Sequence, residues 1–536
     1  MQRKSDSHDW TLKCSAVFLA GLQVFASCSM AAYAQDKDDQ PHTRTPIKHV
    51  IVIIGENRSF DHVFATYKPK PGEKVDNLLS KGIVNADGSP GPNYSLASQY
   101  TAVDSHRDGY QQSPMYKSIY PLLPVPLAGG PTAPLFSTVA AAKAVENGLP
   151  DSYYKYLTTG GTGLKHGTPD TRVLNYNDLP PGPFQLTPGV PYDAYAASPV
   201  HRFYQMRQQT DCNVDYATEW NPSGCQSDLF PWVEISVGSN GNGKPRPKPF
   251  TEETTGEGPA SMGFYNVQQG DAPYLTYLAN NYAMSDNYHQ GVMGGTGANH
   301  IMLGTGDAIW YSDGHGQPMR PPENQMVAAG TVNAGVVNEI ENPNAQPGTN
   351  NWWIQDGYGG GSFGSKSYGG GSYTNCSDSD APGVFSVLDY LSSLPYEVDP
   401  KCDPGHYYLL NNYNPGYYGN GVVASTDTSA GNTVFTVPPS TVRNIGDALL
   451  EKNISWKYYG DQWNEYKNNP DGNYVDPADE YCNICNFFQY STSIMTNPAV
   501  VSAHLQDTVD LYQDLKNGTL PAAAAIPTAP TPMRQE

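Results

Sequence analysis

The sequence predicts an α/β protein built on a parallel sheet, and three stretches carry that expectation. Val50 to Ile54 is a continuous β-branched run without polar alternation, the pattern of a strand buried on both faces. Asn444 to Asn453 has helical spacing, with Ile445, Ala448 and Leu449 facing inward, and leads into the strand-like Ser455 to Gly460. Pro498 to Lys516 reads as one further helix, with Asn497 as N-cap, Pro498 in its first position and Gly518 past its end. Its inner stripe is Val501, Leu505, Thr508, Leu511 and Leu515.

At 536 residues the chain exceeds one average domain, a length that a large α/β enzyme with insertions uses as a single unit. A net charge of −21, from 31 Lys+Arg against 52 Asp+Glu, argues against nucleic acid or an anionic membrane as main partner. Charged residues are only 15%, while Gly, Pro and Tyr number 53, 46 and 38, so much of the chain is expected as ordered loop.

The chain opens as a targeting segment. Arg3, Lys4 and Lys13 precede the apolar run Ala16 to Ala26, and Ala32-Tyr33-Ala34 fits cleavage before Gln35, so residues 1–34 read as a signal peptide and the mature protein as periplasmic or secreted. Lipid anchoring at Cys28 is the alternative, with Phe25 where a lipobox carries Leu. No segment after the leader approaches the roughly 20 apolar residues of a spanning helix. The leader takes Cys14 and Cys28 with it, leaving six cysteines. In an exported chain these imply disulfides, most simply Cys212 with Cys225, Cys376 with Cys402 and Cys482 with Cys485, although the sequence does not choose the connectivity. Half a zinc site or a redox pair is the competing reading of Cys482-Asn483-Ile484-Cys485.

Residues 35–45 read as a polar linker, 46–520 as the folded domain, and 521–536, rich in Ala and Pro, as a disordered tail. Within the domain, Ser59 can cap a helix after the first strand. Residues 68–199 suggest loop excursions, with a short helix over Phe136 to Asn147. Val200 to Arg207 starts a helix with His201 near its beginning; Tyr274 to Tyr282 and Phe385 to Leu394 are others. Trp352 to Tyr373 repeats Tyr-Gly-Gly-Gly-Ser and reads as a mobile loop.

Two stretches carry chemistry. Gly55, Glu56 and Asn57 stand at the carboxyl end of the first strand, where ligands of open α/β sheets gather, so a carboxylate and an amide oxygen are placed there to hold a hard cation. A loop-capping role satisfies the same two residues. In Gly294-Gly295-Thr296-Gly297-Ala298-Asn299-His300 the glycines allow a tight turn that presents Thr296 at a helix start, where a phosphate would meet backbone N–H groups. An ordinary Gly-rich turn with Thr296 as N-cap fits equally. No Walker lysine follows, which removes the nucleotide P-loop reading.

The string GENRSFDHVF, with Thr296 and Asn299 three residues apart, resembles the bacterial phosphoesterase family that contains acid phosphatases and phospholipases C, within the alkaline phosphatase superfamily. That resemblance implies an α/β/α three-layer sandwich and a phosphate ester hydrolase. In it Thr296 is the nucleophile, activated by a divalent metal ion that Glu56 and Asn57 also bind, and forms a covalent phosphoryl-enzyme. Asn299, His201 and His406 are the implied assisting residues, the histidines binding phosphate oxygens or protonating the leaving alcohol. The substrate class is a small phosphate ester or a phospholipid head group. His300 stands where phospholipase members carry Arg, a lean towards acid phosphatase. Family members continue past the helix equivalent to Pro498–Lys516 into further strands and an Asp-rich segment that completes the metal site. Its absence here implies missing late strands and, as the alternative function, a truncated, catalytically silent chain acting at most as a binding protein. A sulfatase is set aside, because its nucleophile derives from Cys or Ser.

Overall fold

Four short parallel strands form the largest sheet of this computed structural model, in the order β1 (Val50–Val52), β10 (Ala523–Ala525), β8 (Trp456–Gly460) and β9 (Leu505–Asp507). The structure describes residues 46–52, 58–102, 113–114, 116–127, 138–145, 154, 168–192, 203–237, 261–321, 373–380, 384–411, 414–424, 436–468 and 481–525. From His49 onward these make one compact unit. The register pairs Val50 with Ala523, Ala523 with Trp456 and Tyr458 with Leu505, so the strands' carboxyl ends lie together.

Around this sheet run α1 (Phe60–Phe64), the antiparallel pair β2 (Tyr100–Ala102) and β3 (Lys117–Ile119), α2 (Val139–Val145), and β4 (Phe184–Gln185) paired in parallel with β5 (Gly263–Phe264). Helices α3 (Phe203–Thr210) and α4 (Phe230–Val237) precede β5; α5 (Pro273–Asn281) and α6 (Thr296–Thr305) follow it. Next come β6 (Tyr373–Thr374), α7 (Val384–Ser393) and β7 (Tyr408–Leu409), which pairs antiparallel with β6. The final stretch holds α8 (Ile445–Glu451), α9 (Trp463–Lys467), α10 (Thr492–Met495), α11 (Pro498–His504) and α12 (Thr508–Asn517). This is a mixed α/β architecture with a parallel sheet. Among the described residues no helix is long and apolar enough to cross a membrane.

Side chains alternate across the sheet as strands require. Ala523 and Ala525 pack on a large aromatic core with Trp456, Tyr458, Phe487, Phe488 and Leu505, whereas Ala524 lies in a smaller cluster with Tyr459 of β8 and Leu511 of α12. Helix α6 contributes Ala298 and Ile301 to the aromatic core and rests on the 3₁₀ turns Asn483–Cys485 and Phe487–Tyr490. Gly304 makes that approach feasible, because a Cβ there would overlap the Phe487 ring. Among the described residues the disulfides are the three local pairings, Cys212–Cys225, Cys376–Cys402 and Cys482–Cys485.

Four expectations are corrected. The strand at Val50 is not buried on both faces: Val50, Ile51 and Val52 are 55%, 46% and 57% exposed, because β1 ends the strand order and among the described strands pairs with β10 alone. Residues 523–525 are not tail but a strand inserted between β1 and β8; pairing on both sides overrides the weak β-propensity of Ala. The single helix expected over Pro498–Lys516 is helix, strand and helix. Leu505 of the supposed stripe lies in β9, and the Asp507 carboxylate accepts the Val509 N–H at 3.1 Å and starts α12 afresh. In α8, Ile445 faces solvent at 46% exposure and Gly446 faces the core, where a Cβ would come within 2.7 Å of Phe488. The cap at Asn497 is as expected: its side chain accepts the Ala499 and Val500 N–H groups at 3.2 and 3.3 Å. The Gly-rich loop of residues 352–372 lies outside the described residues.

Candidate active site

Thr296 is the first residue of α6 and is 7% exposed. Gly295 precedes it in an extended conformation (φ −70°, ψ 166°), turning the chain sharply into the helix. Asn299, one turn on, ties that loop down: its Oδ1 accepts the Val292 N–H at 2.9 Å and its Nδ2 donates to the Gly294 and Gly295 carbonyls, both at 3.2 Å. The amide side chain thus fixes the backbone that presents Thr296. His300 Nδ1 lies 2.9 Å from the Thr296 carbonyl, which can only accept, so Nδ1 carries the proton. Burial lowers the His300 pKa below its ordinary value and keeps the ring neutral.

A second segment closes on this turn from the carboxyl end of β7. The Leu410 carbonyl accepts the Gly295 N–H at 3.1 Å, and the Asn411 carbonyl accepts the Ala298 N–H at 3.3 Å. A Cβ at Gly294 would overlap the Leu410 carbonyl, so only glycine permits this approach. Asn411, 2% exposed, also accepts the Phe203 N–H at 3.3 Å through its side-chain Oδ1. The beginnings of α3 and α6 and the end of β7 therefore meet at one residue. Gln290 adds a second link, its Nε2 lying 3.5 Å from the Met206 sulfur of α3. Two N–H groups at the start of α6 are already bonded to the Leu410–Asn411 segment, so this helix end offers a phosphate fewer donors than a bare one.

His406 stands just before β7 in an aromatic group, edge-on to Trp310 at 4.8 Å and stacked on Tyr408 at 5.8 Å between ring centroids. Its Nδ1 lies 3.3 Å from the Pro404 carbonyl. The Tyr408 hydroxyl donates to Asp403 at 3.3 Å, and burial raises its phenol pKa. His201, Glu56 and Asn57 lie outside the described residues, and α3 starts two residues beyond His201. Among the described residues no group of three or more His, Cys, Asp or Glu is arranged to hold a metal ion.

Sequence reasoning missed two features. One is Asn411, whose only sequence signal is an amide directly after the apolar pair Leu409-Leu410. The other is a charged joint where α3 ends. Asp211 is fully buried and bonded to Ser113 and Lys117, and Lys117 Nζ also reaches Asp228 at 2.6 Å. Burial, reinforced by Asp211, pushes the Asp228 carboxyl up to about 7 despite Lys117. Burial disfavours the Lys117 ammonium, but the two carboxylates outweigh it and hold that group above its ordinary value.

The family model described as Phosphoesterase family matches residues 146–529 of this chain. The matched stretch includes Thr296, Asn299, His201, His406 and Asn411, and begins after Glu56 and Asn57. No curated protein matches the chain.

Proposed function

This chain belongs to the phosphoesterase family, hydrolases of phosphoric esters, and from that premise we propose that it cleaves its ester through Thr296. The Thr296 hydroxyl oxygen attacks phosphorus and gives its proton to solvent. The bond from phosphorus to the ester oxygen breaks, and the departing alcohol takes a proton from His201 or His406. Water then cleaves the phosphothreonine, releasing inorganic phosphate and restoring the hydroxyl. The observation that carries this reading is the hold on Thr296: a buried hydroxyl residue at a helix start, its loop fixed by Asn299 and by the Leu410 and Asn411 carbonyls. Such preorganisation is what an in-line displacement requires.

Glu56, Asn57 and Thr296 offer a carboxylate, an amide oxygen and a hydroxyl, a hard-donor set that fits a divalent cation, and the fixed start of α6 holds Thr296 as a rigid rather than a floppy donor. When bound, such a cation lowers the pKa of the hydroxyl and neutralises phosphoryl charge. Asn299 acts in this scheme by orienting the turn. We read the parallel sheet as the middle layer of an alkaline phosphatase-like α/β/α sandwich, supported by the different clusters that Ala524 and its two neighbours join. Residues 1–34 act as a signal peptide, and the three disulfides suit an exported protein. The substrate is a small phosphomonoester, with a phospholipid head group as the other ester class the same nucleophile serves.

Hydrolysis of a chromogenic phosphomonoester by the parent and by Thr296→Ala, at one defined divalent metal supply, tests the reading. The expected result is turnover by the parent, loss of at least about 10³-fold in the variant, and phosphate on the Thr296 peptide after acid quench. A variant as active as the parent would remove Thr296 from the mechanism.

A further inference from the structure

We propose that Asn411 is a positioning residue that couples α3 at Phe203 to the Thr296 turn, so that this end of α3 and the nucleophile move as one unit. The inference rests on the assignment of Thr296 as nucleophile and adds a residue that touches no substrate. Three bonds carry it: Asn411 Oδ1 to the Phe203 N–H at 3.3 Å, the Asn411 carbonyl to the Ala298 N–H at 3.3 Å, and the adjacent Leu410 carbonyl to the Gly295 N–H at 3.1 Å. Phe203 is the first described residue of α3, and its N–H is taken up by a side chain from a segment 208 residues away. At 2% exposure Asn411 is shielded from competing water. The Asn411 side chain and carbonyl leave the same Cα, so a displacement of that Cα reaches both bonds, and the glycine at 294 lets the Leu410 carbonyl sit directly on the turn.

The linkage predicts a loss in the chemical step rather than in binding. Asn411→Leu keeps the branched outline, four side-chain heavy atoms and both carbonyls but removes the Oδ1 acceptor. Asn411→Asp restores an acceptor at the same place, in a position that the α3 dipole favours for an anion. On a chromogenic phosphomonoester, the Leu variant should lose about 10- to 100-fold in kcat with KM within about threefold, and the Asp variant should recover most of the loss. Amide hydrogen exchange, read on the same full-length proteins, should rise in the Leu variant at Phe203 and also across Gly295–Ala298, and return with Asp. A Leu variant with unchanged kcat, or faster exchange at Phe203 alone, would overturn the coupling. If the parent shows no turnover but exchange rises at both places, the hydrolytic role of Thr296 fails while the coupling stands.

Discussion

Helices α6 and α3 both lead to Asn411, yet they are anchored by opposite physics. Helix α6 rests on aromatic rings: Phe487, Phe488, Trp456 and Tyr458 meet in tilted and edge-on pairs with centroids 4.3 to 6.0 Å apart. Helix α3 ends in a joint of two carboxylates around one ammonium, with Lys117 also over the Tyr100 ring at 5.1 Å. The aromatic floor draws on many contacts between uncharged rings, with the titratable His504 stacked on Trp456 at 4.2 Å and held below its ordinary pKa by burial. Among the described residues the joint depends on a single cation, and its carboxylates set its strength by pH. Packing dominates one end of the site and charge the other, so the second responds more strongly to pH.

The comparison breaks most sharply at Phe488, which is 1% exposed. Phe488→Ala should cost about 3–5 kcal/mol of unfolding free energy, equally at pH 5 and pH 8, in a denaturant titration. Lys117→Met should cost about 3 kcal/mol at pH 8, since it leaves two buried carboxylates without their cation. That cost should shrink towards pH 5, where Asp228, with its raised pKa, takes up a proton. A Lys117→Met penalty that does not change with pH would mean that packing of the lysine stem, and not its charge, holds the joint.

A third carboxylate sharpens the contrast. Burial pushes Asp61 up to about 6 from 3.8, and the Leu78 N–H at 3.1 Å only partly offsets it. A carboxyl that holds its proton more tightly folded than unfolded contributes stability below pH about 4 and loses it as pH rises through about 6. Asp61→Asn should therefore stabilise the protein by about 1 kcal/mol at pH 8, within an upper bound of about 3, and have no benefit at pH 4. The melting temperatures of parent and variant at the two pH values decide it.

What was legible in the sequence was local. The strand at Trp456–Gly460, its preceding helix and the Asn497 cap follow from periodicity and capping chemistry, and the nearest-neighbour disulfides are the simplest of the connectivities that the sequence leaves open. What was not legible is made by partners distant in the chain. Ala523–Ala525 has no strand signal of its own, and its conformation comes from β1 and β8 on either side. Leu505 sits at helical spacing from Val501 and yet pairs with Tyr458. In the site, Thr296 is marked by the glycines that surround it, and Asn299 by the family resemblance alone. Asn411 is marked by neither, because it works through its carbonyl and through an amide 208 residues away. The joint is equally hidden, its ion pairs spanning 94 and 111 residues.

The insertion of β10 between β1 and β8 sets a timetable. The contact from His49 to the Pro521 carbonyl spans 472 residues, so among the described strands β1 has no partner until residues 523–525 have been made. Closure over such a distance is entropically slow, and a half-exposed Val-Ile-Val strand waiting for its neighbour is a template for the wrong one. Assembly of this sheet therefore waits for residues 523–525, and until they arrive β1 needs shielding from other copies of the chain.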